Sequence, residues 1–117
     1  MEIERKVLES ILELCRTTPH EIGGLLLGKK IINDYVLVPG RFGDYSIYIR
    51  FDQLPLYPDL AGTFHSHPGR NSSPSKEDLN FFGKLGRNHL IIAYPYNLNS
   101  FTAYDSKGNK IELHVKP

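Results

Sequence analysis

Apolar residues near the start of the chain recur with the period of an α-helix. Their spacing of three and four residues places them on one helical face. The stripe is formed by Ile3, Val7, Leu8, Ile11, Leu14 and Cys15. Thr17-Thr18-Pro19 follows it, and a proline at this position ends a helix. The pattern therefore predicts an amphipathic first helix that closes near residue 17.

Shorter apolar or alternating runs predict β-strands along the rest of the chain. They cover residues 22–27, 35–38, 45–50, 60–67, 89–94, 101–104 and 110–115. The last two runs flank Ser106-Lys107-Gly108-Asn109, which predicts a hairpin. A second helix is expected over residues 75–85, closed by Gly86. The elements together predict an α/β fold, with a mixed sheet flanked by helices.

Composition limits the size and class of this protein. A chain of 117 residues fits one domain, which should bury about 65% of its unfolded surface. Hydrophobic residues make up 40% and charged residues 23%, as in an ordinary globular domain. The net charge is only +1, so electrostatics provide no case for nucleic-acid binding.

The number of cysteines and the charge of the first residues indicate the cellular compartment. Cys15 is the only cysteine, so an internal disulfide is impossible and a reducing compartment fits. Its place on the helical stripe predicts a buried, inert thiol. The N-terminus is charged, and no apolar run approaches 18 residues. We therefore expect a cytoplasmic protein that makes no contact with a membrane.

The segment His65-Ser66-His67-Pro68 carries the strongest chemical signal. Alternate side chains of a strand share one face, so His65 and His67 should stand side by side. Ser75 and Asp78 follow at the predicted start of the second helix. Two imidazoles and one carboxylate are ligands of a catalytic zinc. Without an obvious fourth protein ligand, the pattern indicates an open site with water in the remaining position.

Simpler explanations apply to each part of this pattern. Ser75 and Asp78 also fit a capping box with aspartate in place of glutamate. Glu21 follows His20, but Gly24 occupies the position of the second histidine in a His-Glu-x-x-His helix, which excludes a zincin-type site. The remaining histidines, which are His20, His89 and His114, show no partner pattern and are interpreted as structural or surface residues.

The order and gaps of these residues resemble the signature of the JAMM (MPN+) metalloproteases. His65-Ser66-His67-Pro68 is followed by six residues, then Ser75, two more residues and Asp78. The family also has an upstream glutamate, and Glu21 occupies the equivalent place. The resemblance runs over residues 1–117 and implies a single MPN (cytidine-deaminase-like) domain with a curved mixed sheet.

The resemblance also implies a role for each of these residues. His65, His67 and Asp78 would bind one zinc ion, and a catalytic water would complete the tetrahedron and hydrogen-bond to Glu21. Zinc lowers the pKa of such a water from about 15.7 to near 7. Glu21 would act as the general base, and Ser75 would help to stabilise the oxyanion. The implied reaction is hydrolysis of an amide or isopeptide bond.

The substrate expected from the resemblance is a ubiquitin-like modifier or its conjugates. The chain is most similar to compact archaeal members that remove small ubiquitin-like modifiers by cleaving after their C-terminal glycines. Residues 51–59 are a candidate flap for the modifier tail, or else a loop that covers the core. Two alternatives remain open. One is a zinc amidase that trims a sulfur-carrier protein or a short peptide, and the other is a non-catalytic MPN scaffold.

Overall fold

The fold is built from one helix and eight strands in the part of the chain that the structure describes. This computed structural model describes residues 1–18, 21–38, 58–67, 69 and 86–117. The elements are β1 (Glu2–Glu4), α1 (Arg5–Thr17), β2 (Gly23–Leu27), β3 (Asp34–Leu37), β4 (Leu60–His67), β5 (Asn88–Ala93), β6 (Phe101–Tyr104), β7 (Lys110–Ile111) and β8 (His114–Lys116). The strand predicted at 45–50, most of the 51–59 segment and the helix predicted at 75–85 lie outside the described residues.

Six of the strands form one mixed sheet, as the sequence predicts. Their order is β3-β2-β4-β5-β6-β7. β4 runs parallel to β5 and antiparallel to β2. The other pairs in this sheet are antiparallel. β4 therefore has a hydrogen-bonded neighbour on each side, and it carries both histidines of the sequence motif at its end.

The two faces of this sheet differ in chemistry. One face packs against α1, and their shared core includes Leu8, Ile11, Leu26, Phe64 and Leu90. The opposite face is also buried, but it carries polar groups. Its fully or nearly fully buried side chains include Thr63, His65, His89, Ile91 and Tyr104. The alternation of strand side chains thus separates an apolar core from a polar face.

The first helix starts later than its apolar stripe predicts. Ile3 lies in β1, which pairs in parallel with β8 and bridges to Ile32. The Glu4 N–H donates to the Ile32 carbonyl, and the Ile32 N–H donates to the Glu2 carbonyl, both at 2.9 Å. These bonds hold residues 2–4 extended, so assigning Ile3 to the helix was wrong.

The buried stripe of α1 also differs from the predicted one at two positions. Leu12 is 2% exposed, whereas Leu14 is only partly buried. Residues 7, 8, 11, 12 and 15 form the buried face. The predicted burial of Cys15 is confirmed, and burial raises the pKa of its thiol to about 12. The thiol is therefore protonated near neutral pH and has the inert character expected of a core cysteine.

The predicted terminal hairpin is present, but its second strand is divided. The Asp105 carboxylate accepts hydrogen bonds from the Lys107 and Asn109 N–H groups at 2.9 Å, and these bonds lower the pKa of Asp105. Gly108 has a φ of 86°. β7 ends at Ile111, and β8 then leaves the main sheet to pair with β1. A long-range partner at the N-terminus therefore divides the run at 110–115.

No helix in the described ranges is long and apolar enough to cross a membrane.

We expect Gly62→Ala to destabilise the fold. A Cβ at Gly62 would overlap the main-chain carbonyl of Asn88, so β4 and β5 would have to separate. Overpacking of this kind costs about 1–3 kcal/mol. Gly69→Ala is the matched control, because a Cβ there would meet nothing within 4 Å. Chemical denaturation of both variants measures the difference, and equal unfolding free energies would contradict the close packing of β4 against β5.

Candidate metal centre

Two imidazoles lie against each other at the end of β4. The Nε2 atoms of His65 and His67 are 3.0 Å apart. Their ring centroids are separated by 4.9 Å, and the ring planes are tilted by 50°. His65 is 2% exposed, and His67 is partly buried. The strand alternation therefore brings the same ring nitrogen of each residue to one place, at the rim of the buried polar face.

The spacing and chemistry of this pair suit a zinc ion. Zinc binds imidazole nitrogen at about 2.0–2.1 Å, so two tetrahedral ligands have nitrogens about 3.3 Å apart. The observed 3.0 Å is close to that value. Without a metal, the two Nε2 atoms at this distance can share one proton in a single hydrogen bond. A bound cation would instead accept the lone pairs of both nitrogens. The donor set therefore fits the metal that the sequence pattern indicates.

The segment just before β2 brings the Glu21 backbone to the end of the sheet where the two histidines lie. Gly23 pairs with His65 and places no side chain opposite it. The Ser66 N–H donates to the Ile22 carbonyl, and the Ile22 N–H donates to the Ser66 hydroxyl, both at 2.9 Å. Exposed Glu21 is the next residue, so its backbone lies at the same end of the sheet as the two histidines.

Tyr96 contacts the end of β4 and also interacts with Glu21. The Tyr96 hydroxyl donates to the main-chain carbonyl of His67 at 3.2 Å. Desolvation raises the pKa of this hydroxyl, and nearby ionisable groups that include Glu21 raise it further.

The structure describes only part of the predicted site. His65, His67 and Glu21 are described, whereas Ser75 and Asp78 lie outside the described residues. Within the described ranges, no group of three or more His, Cys, Asp or Glu side chains could hold a metal ion. The described residues thus bring two candidate ligands together, and the roles of His65, His67, Glu21, Ser75 and Asp78 stay predictions.

Sequence reasoning missed several residues that support the histidine pair. Ser66 joins β4 to β2, and strand alternation could have shown that it faces away from the imidazoles. Thr63 and His89 form a fully buried pair, with the Thr63 hydroxyl 2.8 Å from His89 Nδ1. Only the pairing of β4 with β5 brings these two together. Tyr96 lies 29 residues from His67, and no local pattern connects them.

Comparison with known proteins places this arrangement in a family. Residues 4–104 match the family described as prokaryotic homologues of the JAB domain. A probable metalloprotease from Haloferax volcanii is 35% identical over 111 residues, which cover 85% of this chain and 68% of that protein.

Two solved structures resemble the whole chain, each with a TM-score of 0.80 and 34% identity. One is a JAB1/MPN domain protein from Archaeoglobus fulgidus, with 100% of both chains covered. The other is described as JAMM, a metalloprotease-like zinc site in the proteasome and signalosome, with 100% of this chain and 98% of that chain covered. The MPN fold predicted from the sequence is therefore confirmed. The chain belongs to the prokaryotic JAB-domain proteins of the JAMM/MPN metalloprotease family, and it is a hydrolase.

Proposed function

We propose that this protein is a zinc-dependent isopeptidase that cleaves amide or isopeptide bonds after the C-terminal glycines of ubiquitin-like modifiers. The observation that carries the proposal is the meeting of the His65 and His67 Nε2 atoms at 3.0 Å, at the end of the central strand. Membership of the metalloprotease family supports the same chemistry. The two candidate ligands that the structure describes converge, which argues against a non-catalytic scaffold.

In this proposal, His65, His67 and Asp78 hold one zinc ion. When bound, zinc polarises a substrate carbonyl and makes water acidic enough to lose a proton near neutral pH. The fixed strand holds the two imidazoles in place before any ion binds. Such preorganisation matters because a ligand shell that moves by one ångström loses much of its catalytic effect.

Glu21 is the proton carrier in this mechanism. It removes a proton from the attacking water as the water oxygen adds to the carbonyl carbon, and the Ser75 hydroxyl donates a hydrogen bond to the developing oxyanion. When the carbon–nitrogen bond breaks, Glu21 returns the proton to the departing amine. Glu21 is exposed and lies next to Ile22, whose main chain bonds Ser66 beside His67, and this position suits a group that must meet both water and substrate.

The outer edge of β3 supports the choice of an extended substrate tail. β3 ends the sheet, and no described strand pairs with its outer side. Leu37 pairs with Gly24, near the start of β2, and is 47% exposed. An extended tail can add to such an edge through main-chain hydrogen bonds. A modifier tail lying here would run towards the end of β2 from which Glu21 emerges.

The proposed partner is therefore a ubiquitin-like modifier or its conjugates, and the proposed compartment is the cytoplasm. The single cysteine excludes an internal disulfide, which fits a reducing compartment.

Incubation of the purified protein with whole modifier conjugates and with short peptides tests the proposed function. We expect cleavage of the conjugates after the modifier's terminal glycine, loss of cleavage with a chelator, and its return with added zinc. Cleavage of short peptides or a sulfur-carrier protein alone would instead support the zinc amidase. Zinc-loaded protein that cleaves none of these substrates would support the scaffold.

Glu21→Gln should keep bound zinc while losing activity by about 10²–10⁴-fold, because the amide cannot accept the proton. Glu9→Gln is the control, since Glu9 is an exposed carboxylate on α1 whose ion pair with Arg5 lies in solvent. Zinc content and cleavage rate are measured on both variants. Full activity in Glu21→Gln would refute the assignment of this residue as the base.

His67→Ala should lose most of the bound zinc, because it removes one of the two converging nitrogens. His114→Ala is the matched control: His114 is exposed and lies 3.3 Å from the Glu112 carboxylate, away from the site. Elemental analysis after dialysis gives the zinc content of each. Equal content in His67→Ala and the wild type would count against ligation by His67.

A further inference from the structure

The loop that follows β5 contacts the end of β4 through Tyr96. The Tyr96 hydroxyl donates to the His67 carbonyl at 3.2 Å, and the Tyr96 N–H donates to the Ala93 carbonyl at 2.9 Å. Tyr96 also has a φ of 62°, in the left-handed region that residues with a Cβ rarely adopt. Such a backbone persists only where its surroundings hold it. The loop is therefore held at Tyr96, next to a predicted metal ligand.

The last turn of α1 holds the same loop from the other side. Arg16 donates through Nη1 to the Tyr96 carbonyl at 2.7 Å, and through Nη2 to the Glu13 carboxylate at 3.1 Å. The Thr18 N–H donates to the Leu14 carbonyl at 3.0 Å, which closes the helix just before the segment that leads to Glu21. Tyr96 thus connects the helix end that precedes Glu21 to the strand end that carries His67.

We propose that Tyr96 is a positioning residue for His67, and that Arg16 holds Tyr96 in the orientation this requires. The inference rests on the proposed function, because it assumes that His67 binds zinc. The Tyr96 hydroxyl fixes the main chain of His67 at the point where β4 ends, and so limits how far its imidazole can move from that of His65.

The contacts explain why a tyrosine suits this position. A phenylalanine would keep the partly buried ring packed against the apolar core but would take the hydroxyl donor away from the His67 carbonyl. Groups that orient a metal ligand typically affect metal affinity by about 10–100-fold when they are removed. A bond to the main chain of the ligand, rather than to its ring, should act at the lower end of that range.

Tyr96→Phe is the direct test. We expect zinc affinity, measured by competition with a chromophoric chelator, to fall about tenfold while the protein stays folded. The visible absorption spectrum of bound Co²⁺ should also change, because it reports ligand geometry. Tyr35→Phe is the matched control: it removes a phenol hydrogen bond of 2.7 Å to Ser10 but keeps the edge-on ring contact with Phe64. Its zinc affinity should equal that of the wild type.

Arg16→Gln provides a second, independent variant. It should weaken zinc binding in the same direction, and it should add little to Tyr96→Phe, because both act through one contact chain. Arg5→Gln is its control, since Arg5 lies on the same helix and pairs with Glu9 at 3.8 Å. It should leave zinc affinity unchanged.

The possible outcomes separate this inference from the proposed function. A wild-type protein that binds no zinc would overturn both. Wild-type zinc binding with unchanged affinity in Tyr96→Phe and Arg16→Gln would overturn only the role of Tyr96. An equal loss of affinity in Tyr35→Phe would show a general effect of stability rather than positioning, and would also overturn it.

Discussion

The register of β4 between β2 and β5 is the constraint on which the chemistry of this protein depends. Gly23 pairs with His65 on one side, and Ile91 pairs with His65 on the other. A slip by one residue would turn both imidazoles towards α1 and bury them in the apolar core. The close approach of Gly62 to the Asn88 carbonyl and the two Ser66 bonds to Ile22 both oppose such a slip. The site is therefore specified by main-chain packing before any side chain contacts a metal.

The same register explains how a buried polar face is tolerated. Burying a polar group without a hydrogen bond costs about 1–3 kcal/mol in protein mutants. The Thr63 hydroxyl and His89 Nδ1 avoid part of this cost, because they hydrogen-bond to each other in the interior. Thr63 lies two residues before His65, on the same face of β4. α1 packs on the opposite face, where the side chains are mostly apolar. The division lets the sheet have a stable core on one side and keep the chemistry on the other.

Prediction from the sequence succeeded where an element depends on residues close together in the chain, and it failed where the contact joins residues far apart in the chain. The body of α1, the histidine strand and the Asp105 turn depend on neighbouring residues, so their patterns are visible locally. Ile3 was assigned wrongly because its partner, Val115, lies at the other end of the chain. The contact of Tyr96 with His67 was also invisible, since it depends on how the loop after β5 folds back. The roles of Ser75 and Asp78 rest on spacing and on the resemblance to the family.

A crystal structure of the zinc-loaded protein, with anomalous scattering measured at the zinc edge, tests the central claim most directly. We expect one anomalous peak about 2.0–2.1 Å from the Nε2 atoms of both His65 and His67, with the Asp78 carboxylate as the third protein ligand. The fourth position should be free of protein atoms, and the Glu21 carboxylate should lie beside it. An absent peak between the imidazoles, or a cage closed by four protein ligands, would contradict the account.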